Sequence, residues 1–321
     1  MRTFRSDGVM LSSVQNYKGG YMAGQQQAWQ ATLDYYRNGT IFSVQPTQED
    51  MWVGGILPKV GQFGSTLISM YSPEVLATAV FGIKTTHAHF RQDAFDEYHV
   101  HMAEEGFGWL VGRQDDAFVA LYSWQLGYWE PENITEEGIV YRDFVSEGVQ
   151  NVYICEVGNL KLNGSFEDFV QNVVTSTVQV NLAYNDSLLE CLVDNGCLDS
   201  IPALIGCLLD TCSSSSEELF RKELQTAVDH SDDQQIFSLV AQRVNNIRHS
   251  DVDVVYVRNS TIFEIGWNSN FIVDGNDIST DDFQRYSNRF TSMDWGARSI
   301  DIKTETSNLF MDFDTLSIVE T

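Results

Sequence analysis

The sequence predicts a mainly β fold: one large antiparallel β-sandwich, supersandwich-like in scale, that carries a short helical insertion. Three observations predict it. Strand-like runs of Val, Ile, Thr and aromatic residues recur through most of the 321 residues, separated by Gly, Asn and Asp. Two of these separations have the form of tight hairpin turns. One stretch departs from the pattern, with its apolar residues at helical spacing. A hydrophobic fraction of 43% and a charged fraction of 20% are those of a globular chain, long enough for a full core.

Taken in order, the clearest strand runs are Thr40-Ile41-Phe42-Ser43-Val44, Thr66-Leu67-Ile68-Ser69-Met70-Tyr71 and Asn151-Val152-Tyr153-Ile154-Cys155. A first hairpin is predicted where Gly108 to Gly112 leads to Gln114-Asp115-Asp116 and Ala117 to Tyr122 returns. A second is predicted at Phe271-Ile272-Val273, which meets the type I′ turn pair Asp274-Gly275. Ser299 to Lys303 and Leu309 to Phe313 form a further alternating pair. Between Asp186 and Asn246, Leu188, Leu189, Leu192 and Val193, then Ile201, Leu204, Ile205, Leu208 and Leu209, predict about three short helices. The Ser213 to Ser216 run is suited to cap one of them. The sandwich is therefore expected over residues 1–184 and 251–321, with a helical, cysteine-containing insertion over 185–250.

Composition excludes some function classes. With 19 basic and 45 acidic residues the formal net charge is −26, which is unfavourable for a nucleic-acid partner. The same field repels a polyanionic glycan unless a local basic patch overcomes it. No run approaches the ~18 apolar residues of a membrane span. The start lacks the apolar core of a signal peptide, although five Asn-x-Ser/Thr sequons occur, at Asn38, Asn133, Asn163, Asn185 and Asn259. The chain is thus either intracellular or part of a longer secreted protein. Four of the five cysteines, Cys191, Cys197, Cys207 and Cys212, lie in the insertion, where three pairings are open. They would be disulfides in an oxidising compartment and buried thiols in a reducing one, and their spacings lack the close pairs of structural zinc.

Four of the six histidines fall together, His87 and His89 in one run and His99 and His101 in the next. Residues two apart share one face of a strand. Each pair is therefore expected to project together, away from a core side formed by Ala88 and Phe90 in the first run and by Tyr98, Val100 and Met102 in the second. If the two runs pair, up to four imidazoles with Asp96 or Glu97 would converge. Such a set, His99, His101 and Asp96 in particular, could hold a divalent metal such as zinc. It could instead present a general acid or base to a sugar ring, or be a polar sheet face with ordinary surface histidines.

Softer candidates for sugar binding are Tyr17, Gln26 and Trp29, in an aromatic and amide-rich segment near the start. Trp29 suits a strand anchor equally well. Arg113, beside Asp115 and Asp116 at the predicted hairpin tip, reads as an anion clamp or as a salt-bridged turn. Nucleophile-elbow, phosphate-loop, dinucleotide and His-Glu-x-x-His motifs are all missing from the sequence.

Several segments resemble the β-sandwich region of heparinase II/III-like proteins, in which a helical (α/α) toroid precedes a large β-sandwich. They include Met10 to Tyr17, Trp29 to Leu33, Thr86 to Phe90 with Phe95-Asp96-Glu97, and Gly112-Arg113 leading into Ala117 to Leu121. Gly164 to Val170 and Phe263 to Trp267 fit as well. The resemblance implies descent from polysaccharide lyases and related sugar-active enzymes, with a polysaccharide or oligosaccharide as partner. In such lyases a neutralised uronate carboxylate makes the adjacent ring proton acidic, and His or Tyr removes it. On that basis His87 or His89 is the base candidate and Tyr98 the acid, and a metal in the sandwich is compatible with the histidine set. The insertion has no counterpart in the group, and the toroid is not part of this sequence. The alternative is a non-catalytic sugar-binding or structural module that kept the sandwich.

Overall fold

The computed structural model describes residues 1–15, 19–20, 22–23, 27–33, 39–46, 55–102, 107–135, 138–183, 191–192, 195–197, 200–211, 218–244, 251–278, 285–287, 291–294, 299–303, 308–312, 314–315 and 317–320. The first strands are β1 (Arg2–Ser6), β2 (Val9–Ser13), β3 (Met22–Ala23), β4 (Trp29–Leu33), β5 (Thr40–Val44), β6 (Gly55–Ile56), β7 (Lys59–Phe63), β8 (Thr66–Tyr71) and β9 (Thr85–His89). Next come β10 (Glu97–Met102), β11 (Gly108–Gln114), β12 (Ala117–Ser123), β13 (Gly127–Thr135), β14 (Gly138–Glu147), β15 (Asn151–Asn159) and β16 (Thr177–Ala183). Then follow β17 (Asp251–Arg258), β18 (Thr261–Gly266), β19 (Ile272–Val273), β20 (Asn276–Asp277) and β21 (Arg285–Ser287). The last are β22 (Thr291–Asp294), β23 (Ser299–Lys303), β24 (Asn308–Asp312) and β25 (Ser317–Glu320). Helices are α1 (Val75–Phe81), α2 (Leu160–Asn163), α3 (Phe166–Val174), α4 (Ile201–Gly206), α5 (Glu218–Asp229) and α6 (Asp233–Val244).

The fold is mainly β, built of stacked antiparallel sheets. A seven-stranded sheet has the order β1-β2-β4-β5-β9-β14-β13, and a six-stranded sheet the order β10-β11-β12-β15-β8-β7. Alternation decides what lies between them. Leu11, Trp29, Ala31, Ile41, Ala88, Phe90 and Phe144 point inward from the first sheet, and meet Leu67, Leu110, Val119, Leu121, Tyr153 and Cys155 of the second.

The six-stranded sheet is covered on its other face as well. There Ile68, Trp109, Val111, Phe118, Ala120 and Ile154 pack against α3 and against Val252, Val254, Tyr256, Phe263 and Ile265 of a third sheet, β16-β17-β18-β19-β20. Strands β8, β12 and β15 are consequently buried along their whole lengths. Each fully buried Leu, Ile or Phe there contributes about 1.5–3 kcal/mol. Helix α3 forms because Ser165 caps it, accepting from the Asp168 amide, and because Phe166, Phe169 and Val173 share one face.

The two predicted hairpins are present. Gln114 pairs with Ala117 across Asp115-Asp116, and Val273 with Asn276 across Asp274-Gly275, whose φ angles of 49° and 77° suit the type I′ turn. The predicted pair near the end is β23 with β24, in a further five-stranded sheet, β21-β22-β23-β24-β25. Helices α4, α5 and α6 fall in the segment expected to be helical, and Leu192, Cys197, Leu204, Leu208, Leu224 and Val240 form a small core of their own. Cys197 is disulfide-bonded to Cys207, Cys191 is disulfide-bonded too, and Cys155 is a free thiol buried in the sandwich. The Ser213 to Ser216 run and Cys212 lie outside the described residues. No helix among the described residues is long and apolar enough to cross a membrane.

Candidate functional site

The four histidines form two separate pairs. Strand β9 lies inside the seven-stranded sheet between β5 and β14, whereas β10 is the edge of the six-stranded sheet, so the two runs do not pair. On β9, Ala88 and Phe90 face the core as expected, and His87 and His89 take the opposite face. That face is not open, contrary to expectation. His87 is 4% exposed, because Val44 and Val145 flank it on the neighbouring strands and are themselves buried. Its Nε2 lies 2.9 Å from Thr85 Oγ1, and its Nδ1 has no hydrogen-bond partner. Burial lowers the His87 pKa, with the Asp143 charge opposing, so the ring is neutral at pH 7.

His89 sits between Phe42 and Asp143 in register. Its ring stacks on Phe42 with centroids 4.9 Å apart, and its Nδ1 lies 3.3 Å from Asp143 Oδ1. The buried carboxylate orients the imidazole, as a general base requires.

On β10 the expected facing is reversed. Tyr98, Val100 and Met102 are 41%, 42% and 63% exposed, while His99 and His101 turn toward α3. The reason is that β10 is the edge strand, where the apolar row stays exposed while Phe166 of α3 stacks on the histidine row, a tertiary placement that local alternation does not carry. His99 stacks on Phe166 and its Nε2 lies 2.8 Å from Glu97 Oε1. Arg113 reaches the same carboxylate at 3.5 Å and lies 6.0 Å from the Phe166 ring centre, which makes it part of a charged cluster on the sheet edge. His101 Nε2 is buried without a partner, and burial, then the His99 charge, lowers its pKa.

Asp96 is committed elsewhere, its Oδ2 accepting the Asp115 amide at 2.8 Å. His99, His101 and Asp96 are therefore not gathered as metal ligands, and no group of three or more His, Cys, Asp or Glu among the described residues could hold a metal ion. Tyr98 donates to Gln92 Oε1 at 3.2 Å, on the turn after β9 rather than to either catalytic candidate. Trp29 is 2% exposed, and its Nε1 donates to Ser43 Oγ at 2.9 Å. It is a core anchor and not a sugar platform. Tyr17 and Gln26 lie outside the described residues.

A cleft that the sequence does not announce opens at one end of the sandwich. It has a volume of about 420 Å³, between the β1–β2 turn (Asp7-Gly8), the β11–β12 turn (Gln114 to Ala117) and the start of α2 (Asn159 to Lys161). Asn159 ties these parts together: its amide donates to Ser6 Oγ and to the Asp7 carbonyl, both at 2.8 Å, while its Oδ1 accepts the Leu162 amide and caps α2. Gln114, only 1% exposed, donates to the Ala94 carbonyl, and its Oε1 has no partner. At the rim, Lys161 Nζ lies 3.4 Å from Asp7 Oδ2, both side chains being largely exposed.

No family model, curated protein or solved structure matches this chain.

The chemistry of the cleft is that of Asp7, Asp115, Asp116 and Lys161, with Gln114 and Asn159 beside them. Turn-forming Asp-Gly and Asp-Asp signals mark two of its walls in the sequence, but nothing local tells that the hairpin ends meet. Arg113 immediately precedes the Gln114 of the cleft, yet its side chain lies on the α3 side of the sheet.

Proposed function

We propose that this chain is a carbohydrate-binding β-sandwich module that holds a neutral or amino sugar in the cleft at the sandwich end. The observation that carries the reading is the lining: carboxylates at Asp7, Asp115 and Asp116, the Lys161 ammonium and the Gln114 amide gather around one cavity of about 420 Å³. Sugar hydroxyls both donate and accept, so a mixed set of acceptors and one strong donor suits them. Three carboxylates against one ammonium, on a chain of net charge −26, disfavour a uronate polymer. The resemblance to sandwich regions of sugar-active enzymes points to the same ligand class. The test is a titration against neutral, amino and uronate oligosaccharides, with Leu160→Trp as a variant that fills the cleft. Saturable binding of neutral or amino sugars, lost in that variant, is the expected result. Binding confined to uronates, or unaffected by Leu160→Trp, overturns the reading.

A second reading, an enzyme acting on polysaccharide, is favoured by one contact, His89 Nδ1 to Asp143 Oδ1 at 3.3 Å. It predicts ultraviolet-absorbing unsaturated products, or new reducing ends, that vanish in His89→Ala.

A further inference from the structure

We infer that Asn259 is a site of N-linked glycosylation and that the chain matures in an oxidising secretory compartment. The first observation is geometric. Asn259-Ser260-Thr261 is a sequon at the tip of the β17–β18 hairpin, where Arg258 pairs with Thr261 and the two intervening residues are exposed. Asn259 takes the left-handed backbone conformation, φ 53°, which sets its side chain on a tight turn that Asn adopts readily. Its side-chain amide makes no hydrogen bond to the described residues, so a glycan there breaks no bond among them.

Asn163 shows the contrast. Its Oδ1 accepts the Asn159 amide at 3.1 Å and is packed so close to Gly158 that a Cβ on that glycine would come within 2.2 Å of it. The side chain of Asn163 is a structural strut of the α2 turn. The second, independent observation is the cysteine chemistry: Cys197 and Cys207 are joined and Cys191 is also disulfide-bonded, as befits an oxidising compartment. That is where sequons are modified.

In the transfer, Asn259 Nδ2 bonds to C1 of the first sugar of a lipid-diphosphate-linked oligosaccharide. The C1–O bond to diphosphate breaks, the amide gives up one proton, and the lipid diphosphate leaves. The glycan then projects from the third sheet, on a hairpin distinct from the turns that wall the cleft, so the inference does not depend on the proposed ligand.

The test is expression of the full chain behind a secretion leader in a eukaryotic host, followed by peptide mapping after enzymatic deglycosylation in ¹⁸O-water, which marks each occupied Asn. Asn259 is expected to be predominantly occupied and Asn163 largely unoccupied. Thr261→Ser, which keeps the sequon, should retain the mark, and Thr261→Val, which keeps a β-branched residue in β18, should lose it. An unmarked Asn259 in protein whose Cys197–Cys207 bond has formed overturns the inference, as does unmarked Asn259 in unfolded chains recovered from the compartment.

Discussion

Replacing Arg258 with Met removes the guanidinium that neutralises a carboxylate between the second and third sheets. Glu156, on β15, is fully buried. It accepts from Tyr256 Oη at 2.9 Å and from Thr66 Oγ1 at 3.0 Å, and its second oxygen meets Arg258 Nη1. Burial raises the Glu156 pKa, while Arg258 and the two hydroxyls oppose the rise. Without Arg258 the charge keeps two neutral donors only. Breaking one side of a buried pair costs about 3–5 kcal/mol.

The cost is limited by protonation, since each unit of pKa displacement is worth about 1.4 kcal/mol. A folded-state pKa raised above the unfolded value contributes stability that is full below the unfolded value and lost as pH rises through the folded one. The Arg258→Met penalty should therefore be small near pH 4.5 and grow toward pH 7.5. Urea unfolding followed by circular dichroism at several pH values measures it, with Glu156→Gln/Arg258→Met as the variant in which the pH dependence disappears. A penalty below about 1 kcal/mol at pH 7.5, or one equal at all pH values, would refute the interlock.

Three further outcomes follow from the same structure. His87, with its pKa lowered by burial, holds stability at a plateau above the ordinary histidine value of 6.5 and loses it as pH falls toward its lower folded value. The slope is up to about 1.4 kcal/mol per pH unit, and His87→Gln should flatten it in urea titrations between pH 7.5 and 5. Tyr153→Phe removes a buried hydroxyl that contacts Thr86 Oγ1 at 2.9 Å and Ser146 Oγ at 3.2 Å, and should cost about 1–2 kcal/mol in the same assay. Cys197→Ser/Cys207→Ser opens a loop with a sequence separation of 10, and should lower the stability of the helical segment by about 3 kcal/mol, read as faster amide exchange in α4.

How far the fold could be read from sequence depended on what each strand faces. Thr40 to Val44 and Thr66 to Tyr71 are strands with the expected bounds, because local β propensity and flanking turns define them. The Asp274-Gly275 turn was equally local. The facing of β10 was not, since its polar row of Glu97, His99 and His101 reads as the outer one, and only the placement of α3 brings Phe166 onto it. The separation of the four histidines into two pairs on different sheets was not local either. Alternation correctly opposed His87 to Ala88, but only the register of β5 and β14 against β9 buries His87 and brings Asp143 to His89. That register joins residues more than 40 apart in sequence. Trp29 reads as a binding aromatic by type alone, and becomes an anchor once Ser43 and Tyr71 complete its hydrogen-bond chain. The close approach of Phe95 explains Gly112, where a Cβ would lie 2.5 Å from the ring.

The most direct test of the central claim is a calorimetric titration of the intact chain with neutral and amino oligosaccharides, beside Asp116→Ala, Lys161→Ala and Leu160→Trp. Asp116 and Lys161 rim the cleft and Leu160 stands between them, about half exposed. Saturable binding, weakened about tenfold or more by each rim substitution and abolished by Leu160→Trp, is the predicted result, since a lost hydrogen bond to a charged group is worth about 1.5–3 kcal/mol. Binding that is unchanged in all three variants, or an intact chain that binds no neutral or amino sugar, contradicts it.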